Sequence, residues 1–307
     1  MDLGVTKVRV AVLMSAYNGE KYIREQIESI LVQEGDFELE LWVRDDGSQD
    51  RTPVILQEYE KRGLLHWYAD ENLKPARSFI ALLHRCKNYD FYAFADQDDF
   101  WMPDKLLSGI TALKNLKGPA LYCANAELVD QNLQSLGRDV YRAQPKTDFF
   151  TLLCAGGLLG CTMIFNRNLA EKIQEKEAPV RMVMHDFYVA AVCALLGGTV
   201  VFDEKSHMKY RQHGGNVVGV PHGIWHTIRA RLSDISYKEP VSISEQAAQL
   251  LERYDETEQE KKKWLRQISC YKTSFFSRVM LACSGKTRYM NRNMGLKIRL
   301  SILLGNR

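Results

Sequence analysis

Short β-rich runs alternate with helical spacings through the first half of the chain, and this alternation limits the possible folds more than any other feature. Residues 8–14 form a β-rich run that stops at Ser15-Ala-Tyr-Asn-Gly19, which has turn chemistry. Over 20–32, apolar residues at Tyr22, Ile23, Ile27, Ile30 and Leu31 share the spacing of one helical face. Residues 37–43 read as a second strand, stopping at Asp45-Asp-Gly-Ser48. A helix is predicted over 52–59, with Pro53 tolerated in its first turn. Strands over 65–68, 91–95 and 120–123 alternate with helices over 78–86 and 103–116. Strands separated by helices of roughly 10–15 residues predict βαβ units, a mainly parallel sheet and an α/β fold.

Ligands of such sheets sit beyond the carboxyl ends of the strands. Tyr17, Asp45, Asp46, Asp96 and Asp98 fall there. Asp96-Gln-Asp-Asp99 sets three carboxylates in four residues, which repel one another unless solvent or a cation separates them. Hard oxygen donors of this kind suit Mg²⁺ or Mn²⁺ shared with a substrate phosphate. A solvated acidic loop, with Asp99 or Asp104 capping the next helix, fits the pattern equally well. Asp45 and Asp46 read either as a turn with a helix cap or as acceptors for a base N–H or a ribose hydroxyl. Tyr17 reads either as a base-stacking ring or as core.

The middle of the chain is less regular. Residues 156–160 are a glycine-rich loop and 161–165 read as a strand. A helix is predicted over 185–196, with Asp186 in its first turn as a cap or dipole partner. Residues 199–202 are β-rich, 210–216 read as a loop closing the body, and helical patterns dominate from Pro221. Net charge is +3, but 261–307 holds twelve Lys or Arg and no acid, so residues 1–260 carry −9. That asymmetry points to a polyanionic partner or a membrane surface, and no nucleic-acid recognition motif accompanies it. Residues 294–304 alternate apolar and polar positions more cleanly than they trace one helical face. A basic, apolar segment of this kind is expected on an anionic membrane, or packed on the body with its charges solvated. The seven cysteines form no CxxC pair and are expected to be reduced and buried, as in a cytoplasmic protein. No leader is expected at the N-terminus, and no apolar stretch is long enough to span a bilayer.

Three segments together carry a resemblance: residues 14–20, residues 44–52, and residues 96–106, with Asn72 between the last two. In order, spacing and strand-end placement the chain resembles family-two glycosyltransferases of the GT-A fold. Gly160-Cys-Thr-Met163, His185-Asp186 and Tyr210-Arg-Gln-His-Gly214 with Asn216 make it most similar to the rhamnosyltransferase branch. The resemblance covers about residues 8–218. It implies a GT-A domain over 1–220, a Rossmann-like sheet flanked by helices, followed by a helical basic region over 221–307. It implies an inverting, Mg²⁺- or Mn²⁺-dependent transfer of L-rhamnose from dTDP-L-rhamnose to a growing surface polysaccharide or lipid-linked glycan. A UDP-hexose donor is the nearest alternative, and a non-catalytic role in glycan assembly a more distant one.

The resemblance also implies roles. Ser15, Tyr17, Asp45 and Asp46 would meet the donor nucleotide, Asp96 the ribose or sugar, and Arg211 the diphosphate. Asp98 would hold the metal, with His213 as a further ligand or diphosphate contact. Asp186 would be the general base, with His185 tuning it or touching the acceptor. Gly160 and Thr162 would shape the acceptor cleft. The partners implied are a nucleotide sugar, a glycan acceptor and the inner face of the cell membrane.

Overall fold

A computed structural model describes residues 7–212, 241–284 and 292–306. In chain order the first elements are β1 (Val8–Ala16), α1 (Ile23–Leu31), β2 (Phe37–Asp45), α2 (Thr52–Lys61), β3 (His66–Ala69), α3 (Lys74–Arg85) and β4 (Phe91–Asp96). β5 (Phe100–Trp101), α4 (Lys105–Leu113), β6 (Ala120–Val129), β7 (Ser135–Asp139) and α5 (Phe149–Ala155) follow. Then come β8 (Ile164–Asn166), α6 (Arg167–Gln174), α7 (His185–Leu195) and β9 (Thr199–Arg211). The strands form one sheet in the order β3-β2-β1-β4-β8-β6-β9-β5, with β7 beside β6.

The predicted βαβ alternation is present in β1 to β4, which pair in parallel. Val10 to Met14 of β1 are wholly buried, as a central strand covered on both faces requires. The chain runs from β1 outward to β2 and β3, then returns to β4 on the other side of β1, so strand order reverses there. Register levels the strand ends: Ala16 pairs with Asp45, and Ser15 pairs with Asp96. Two interstrand steps therefore separate Asp45 from Asp96, about 10 Å. β8 joins β4 and β6 antiparallel, and β9 runs parallel to β6.

Several boundaries differ from expectation. Tyr210 and Arg211, read as loop, belong to β9, where they pair with Leu128 and Val129. The polar residues 203–206 hid this strand, because ladder pairing rather than apolar side chains carries it past Phe202. The strand expected over 161–165 is a 3₁₀ turn, Gly160–Thr162, followed by β8. The short strands β5 and β7 and the helix α5 carried too little periodicity to be read, and the eight-residue α6 was missed although Leu169, Ala170 and Ile173 share one buried face behind an Asn166 cap.

The chain divides into two compact units. The first comprises residues 1–144, 159–178 and 198–211 and holds the sheet. The second comprises 145–158, 179–197 and 212–307. Its described helices are α5, α7, Ile243–Arg253, Gln259–Ser269, Phe275–Cys283 and Arg292–Leu304, so the helical C-terminal region is present. Position 220, the expected boundary, lies outside the described residues. Within this unit the C-terminal helices share a core with α5 and α7. The Phe150 and Trp264 rings meet edge-on at 5.3 Å, and the Tyr188 and Tyr254 hydroxyls lie 3.2 Å apart. Ser242 and Glu245 form a complete capping box at the start of Ile243–Arg253. All seven cysteines are free; five are buried as expected, while Cys270 and Cys283 are exposed. No helix among the described residues is long and apolar enough to cross a membrane.

Candidate active site

Three strand-end loops of the first unit are tied together. The Tyr17 N–H donates to Gln97 Oε1 at 2.9 Å, and Gln97 Nε2 donates back to the Tyr17 carbonyl at 3.0 Å. A Cβ on Gly19 would lie 2.2 Å from Gln97 Oε1, so a larger residue there would displace the Gln97 amide from Tyr17. Asn18 sits at φ 48, a left-handed conformation that asparagine tolerates. Its N–H donates to Ser48 Oγ, and its Oδ1 accepts from the Gln49 N–H, both at 2.8 Å. Tyr17 is 46% exposed, so its ring is not core. Ser15 Oγ donates to Ser78 Oγ at 2.7 Å.

Asp45 and Asp46 are both buried. Asp45 accepts from the Ser48 N–H at 3.1 Å and from the Ser48 hydroxyl, closing the turn after β2. Asp46 forms an ion pair with the fully buried Arg44. Arg44 also reaches Asp70 at 3.4 Å and the Glu71 carbonyl at 2.8 Å. The turn reading thus describes the local bonding of Asp45; no side-chain cap bond from it serves α2.

The acidic loop after β4 is not uniformly solvated. Asp96 and Asp98 are half-buried, whereas Asp99 is completely buried. Burial pushes the Asp99 carboxyl well above the usual carboxylate range, and the neighbouring Asp98 and Asp96 charges push it further. Its Oδ1 accepts from the Arg211 N–H at 3.2 Å, while Oδ2 is buried without a hydrogen bond. Asp96, Asp99 and Cys161 each bring one donor atom within 4.8 Å of the others. Burial holds the Cys161 thiol protonated, so it supplies no thiolate. Two carboxylates of that group, Asp96 and Asp99, remain as hard oxygen donors, with Asp99 Oδ2 buried; they supply part of what a divalent cation needs, and Asp98, expected to hold the metal, is not in the group. Asp104 does not cap α4; its carboxylate meets Lys205 at 2.9 Å and His207 at 3.1 Å.

Two buried cations frame this loop. Arg211, expected at the diphosphate, is buried. Its Nε donates to the Asp98 carbonyl at 2.7 Å and its Nη1 to the Gln131 carbonyl at 2.6 Å. It also pairs with Glu25 and lies 4.5 Å over the Tyr22 ring. Arg211 thus holds the backbone of the acidic loop at Asp98. Lys105 was not singled out in the sequence, where it reads as an ordinary residue of a helix first turn. It is fully buried, and burial lowers its pKa to about 8. Its ammonium donates to the Cys161 carbonyl at 2.9 Å and sits 4.6 Å over the Trp101 ring. Thr162, expected to face an acceptor, is fully buried, and its hydroxyl donates to the Leu159 carbonyl at 2.8 Å. Gly160 is buried in the same 3₁₀ turn. His213 lies outside the described residues.

In the second unit, His185 and Asp186 open α7. Asp186 Oδ1 accepts from the Phe187 N–H at 2.8 Å, a carboxylate at the positive end of a helix. A Cβ on Gly156, at φ 62, would meet the Phe187 ring at 2.1 Å, so that glycine lets the start of α7 pack. His185 is buried, which lowers its pKa to about 3. It is therefore neutral at pH 7 and does not act on Asp186 as a cation. The unfolded chain takes up this proton below about pH 6.5 and the folded chain does not. Stability is unaffected above that pH and falls as pH drops from 6.5 toward 3. At pH 5 this single group should cost about 2 kcal/mol. Unfolding free energies from urea titration at pH 7 and pH 5 should converge by that amount in His185→Gln; an unchanged difference would contradict the assignment.

Carboxylates gathered at the levelled ends of parallel strands, where the strand order reverses, mark the place at which open α/β sheets bind ligands. The sequence profile of Glycosyl transferase family 2 matches residues 11–174, more than half of the chain. The chain belongs to that family and is a glycosyltransferase of the GT-A type. It is 28% identical over 221 residues to the dTDP-rhamnosyl transferase RfbG of Shigella flexneri, covering 67% of this chain and 73% of that one. It is 29% identical over 212 residues to an uncharacterized glycosyltransferase of Rickettsia typhi, covering 66% of this chain and 64% of that one. Among solved structures, S. aureus TarS 1–349 aligns over 96% of this chain and 89% of its own, at TM-score 0.55 and 16% identity. The mannosyltransferase PcManGT of Pyrobaculum calidifontis, in complex with GDP-Man and Mn²⁺, aligns over 98% of this chain and 75% of its own, at TM-score 0.53 and 17% identity. At these identities the structural likeness speaks for the fold.

Proposed function

We propose that the chain transfers L-rhamnose from dTDP-L-rhamnose to a growing surface polysaccharide or lipid-linked glycan, with inversion at the anomeric carbon. The observation that carries this reading is the similarity to the Shigella dTDP-rhamnosyl transferase over 221 residues, 67% of the chain. The exposed Tyr17 ring and the strand-end Asp45 and Asp46 receive the nucleotide. Asp96 faces the ribose or sugar, and Asp98, with Asp96 and Asp99 beside it, holds Mg²⁺ or Mn²⁺. When bound, the ion would supply Lewis-acid stabilisation of the negative charge that develops on the leaving diphosphate. Lys105 and Arg211 act as positioning residues, keeping several carboxylates close together. Asp186 takes the proton of the acceptor hydroxyl as the general base. The proposed setting is the cytoplasmic face of the cell membrane, where a lipid-linked acceptor would lie.

A donor panel tests the reading. Purified protein with Mn²⁺ is expected to release nucleoside diphosphate from dTDP-L-rhamnose in preference to UDP-glucose, UDP-GlcNAc and GDP-mannose. Release from a UDP-hexose alone would replace the rhamnosyl assignment with the alternative donor. Release from none of them would favour an assembly role without catalysis.

A further inference from the structure

We propose that the helices Phe275–Cys283 and Arg292–Leu304 present an apolar face that inserts into the surface of an anionic lipid bilayer. The inference rests on the reading of a membrane surface as partner and assigns the side chains that make the contact.

The apolar–polar alternation in 294–304 is carried by a helix, not a strand. Two residues along an α-helix turn the side chain by about 200°. Every second residue therefore falls alternately on two opposite stripes. Ile298 and Ile302 face inward and are buried. Leu296, Leu300 and Leu304, four residues apart, form the outer stripe, with Leu296 59% and Leu304 56% exposed. A helix that is apolar on both sides has one side without a partner. The neighbouring helix adds Phe275 and Phe276, 71% and 72% exposed, and Met280. The two helices pack against each other within the second unit. Six large apolar side chains thus stand in solvent on adjacent helices, a concentration that marks an interaction surface.

Charge selects the occupant. The patch lies in the segment that holds twelve basic residues and no acidic one. A basic segment that also carries exposed Phe and Leu matches the anionic headgroups and acyl boundary of a cytoplasmic leaflet. A second copy of the same chain would bring two such basic segments together, and like charges oppose that contact.

The test is flotation of the full chain with mixed phosphatidylglycerol and phosphatidylcholine vesicles. The wild type should float with them, should do so weakly with pure phosphatidylcholine, and should be released by high salt. The variant Phe275→Gln, Phe276→Gln, Leu296→Gln, Leu304→Gln should bind at least about tenfold less, with an unchanged melting temperature because all four side chains face solvent. A wild type that ignores anionic vesicles would overturn both the inference and the membrane reading. A fourfold variant that binds as well as wild type would overturn this face alone. A wild-type dimer that the variant dissociates, with no vesicle binding by either, would make the face a self-association surface instead. Nucleotide release from the donor panel is read separately, so neither result stands in for the other.

Discussion

Asp186→Asn should lower turnover by about 10²–10⁴-fold, the usual contribution of a positioned general base. Asn keeps the shape of the side chain and an oxygen that can accept the Phe187 N–H. What it loses is the ability to take a proton, together with a charge worth about 0.3–1 kcal/mol at a helix start. The melting temperature should therefore fall by a few degrees at most. Donor affinity should not move, because the reading gives Asp186 no contact with the nucleotide. A variant that keeps full turnover would remove Asp186 as the base. A variant that loses turnover and donor affinity together would move it to the donor site.

Asp98→Asn should reduce turnover by about 10³-fold, equivalent to about 4 kcal/mol of lost charge stabilisation on the leaving group. Here the expected pattern differs. The Mn²⁺ concentration needed for half-maximal rate should rise, and donor affinity should fall with it. The fold should tolerate the change. Asp98 is only half-buried, and its carbonyl, which accepts from Arg211, survives in Asn. Removing one of three crowded carboxylates also relieves repulsion on the buried Asp99, so a small gain in stability is the expected companion of the loss in rate.

The parallel half of the sheet was legible because β1 and β4 coincide with largely apolar runs, β2 alternates apolar and acidic residues up to Leu41, and the helices between the strands have clear periodicity. β9 was half legible: its polar middle is held by ladder bonds to β6, which no local pattern records. The acidic strand ends were legible as positions but not as environments. Asp99 reads like its half-buried neighbours, yet it is the one that is fully buried, beside Lys105 six residues on and Cys161 from far away in the chain. Arg211 was legible as a cation near the site. The direction of its guanidinium depended on Glu25 and Gln131, far away in the chain. The two-striped helix Arg292–Leu304 looked strand-like for a geometric reason, since a period of two is also what opposite stripes of a helix produce.

The most direct test of the carboxylate edge as a cation-assisted nucleotide diphosphate site is an equilibrium titration of dTDP into the full chain, with and without Mn²⁺. The account predicts that Mn²⁺ tightens dTDP binding at least about tenfold, or 1.4 kcal/mol, and that Asp98→Asn abolishes this gain while dTDP alone binds the variant as it binds wild type. Binding of dTDP that is indifferent both to Mn²⁺ and to the loss of Asp98 would contradict it.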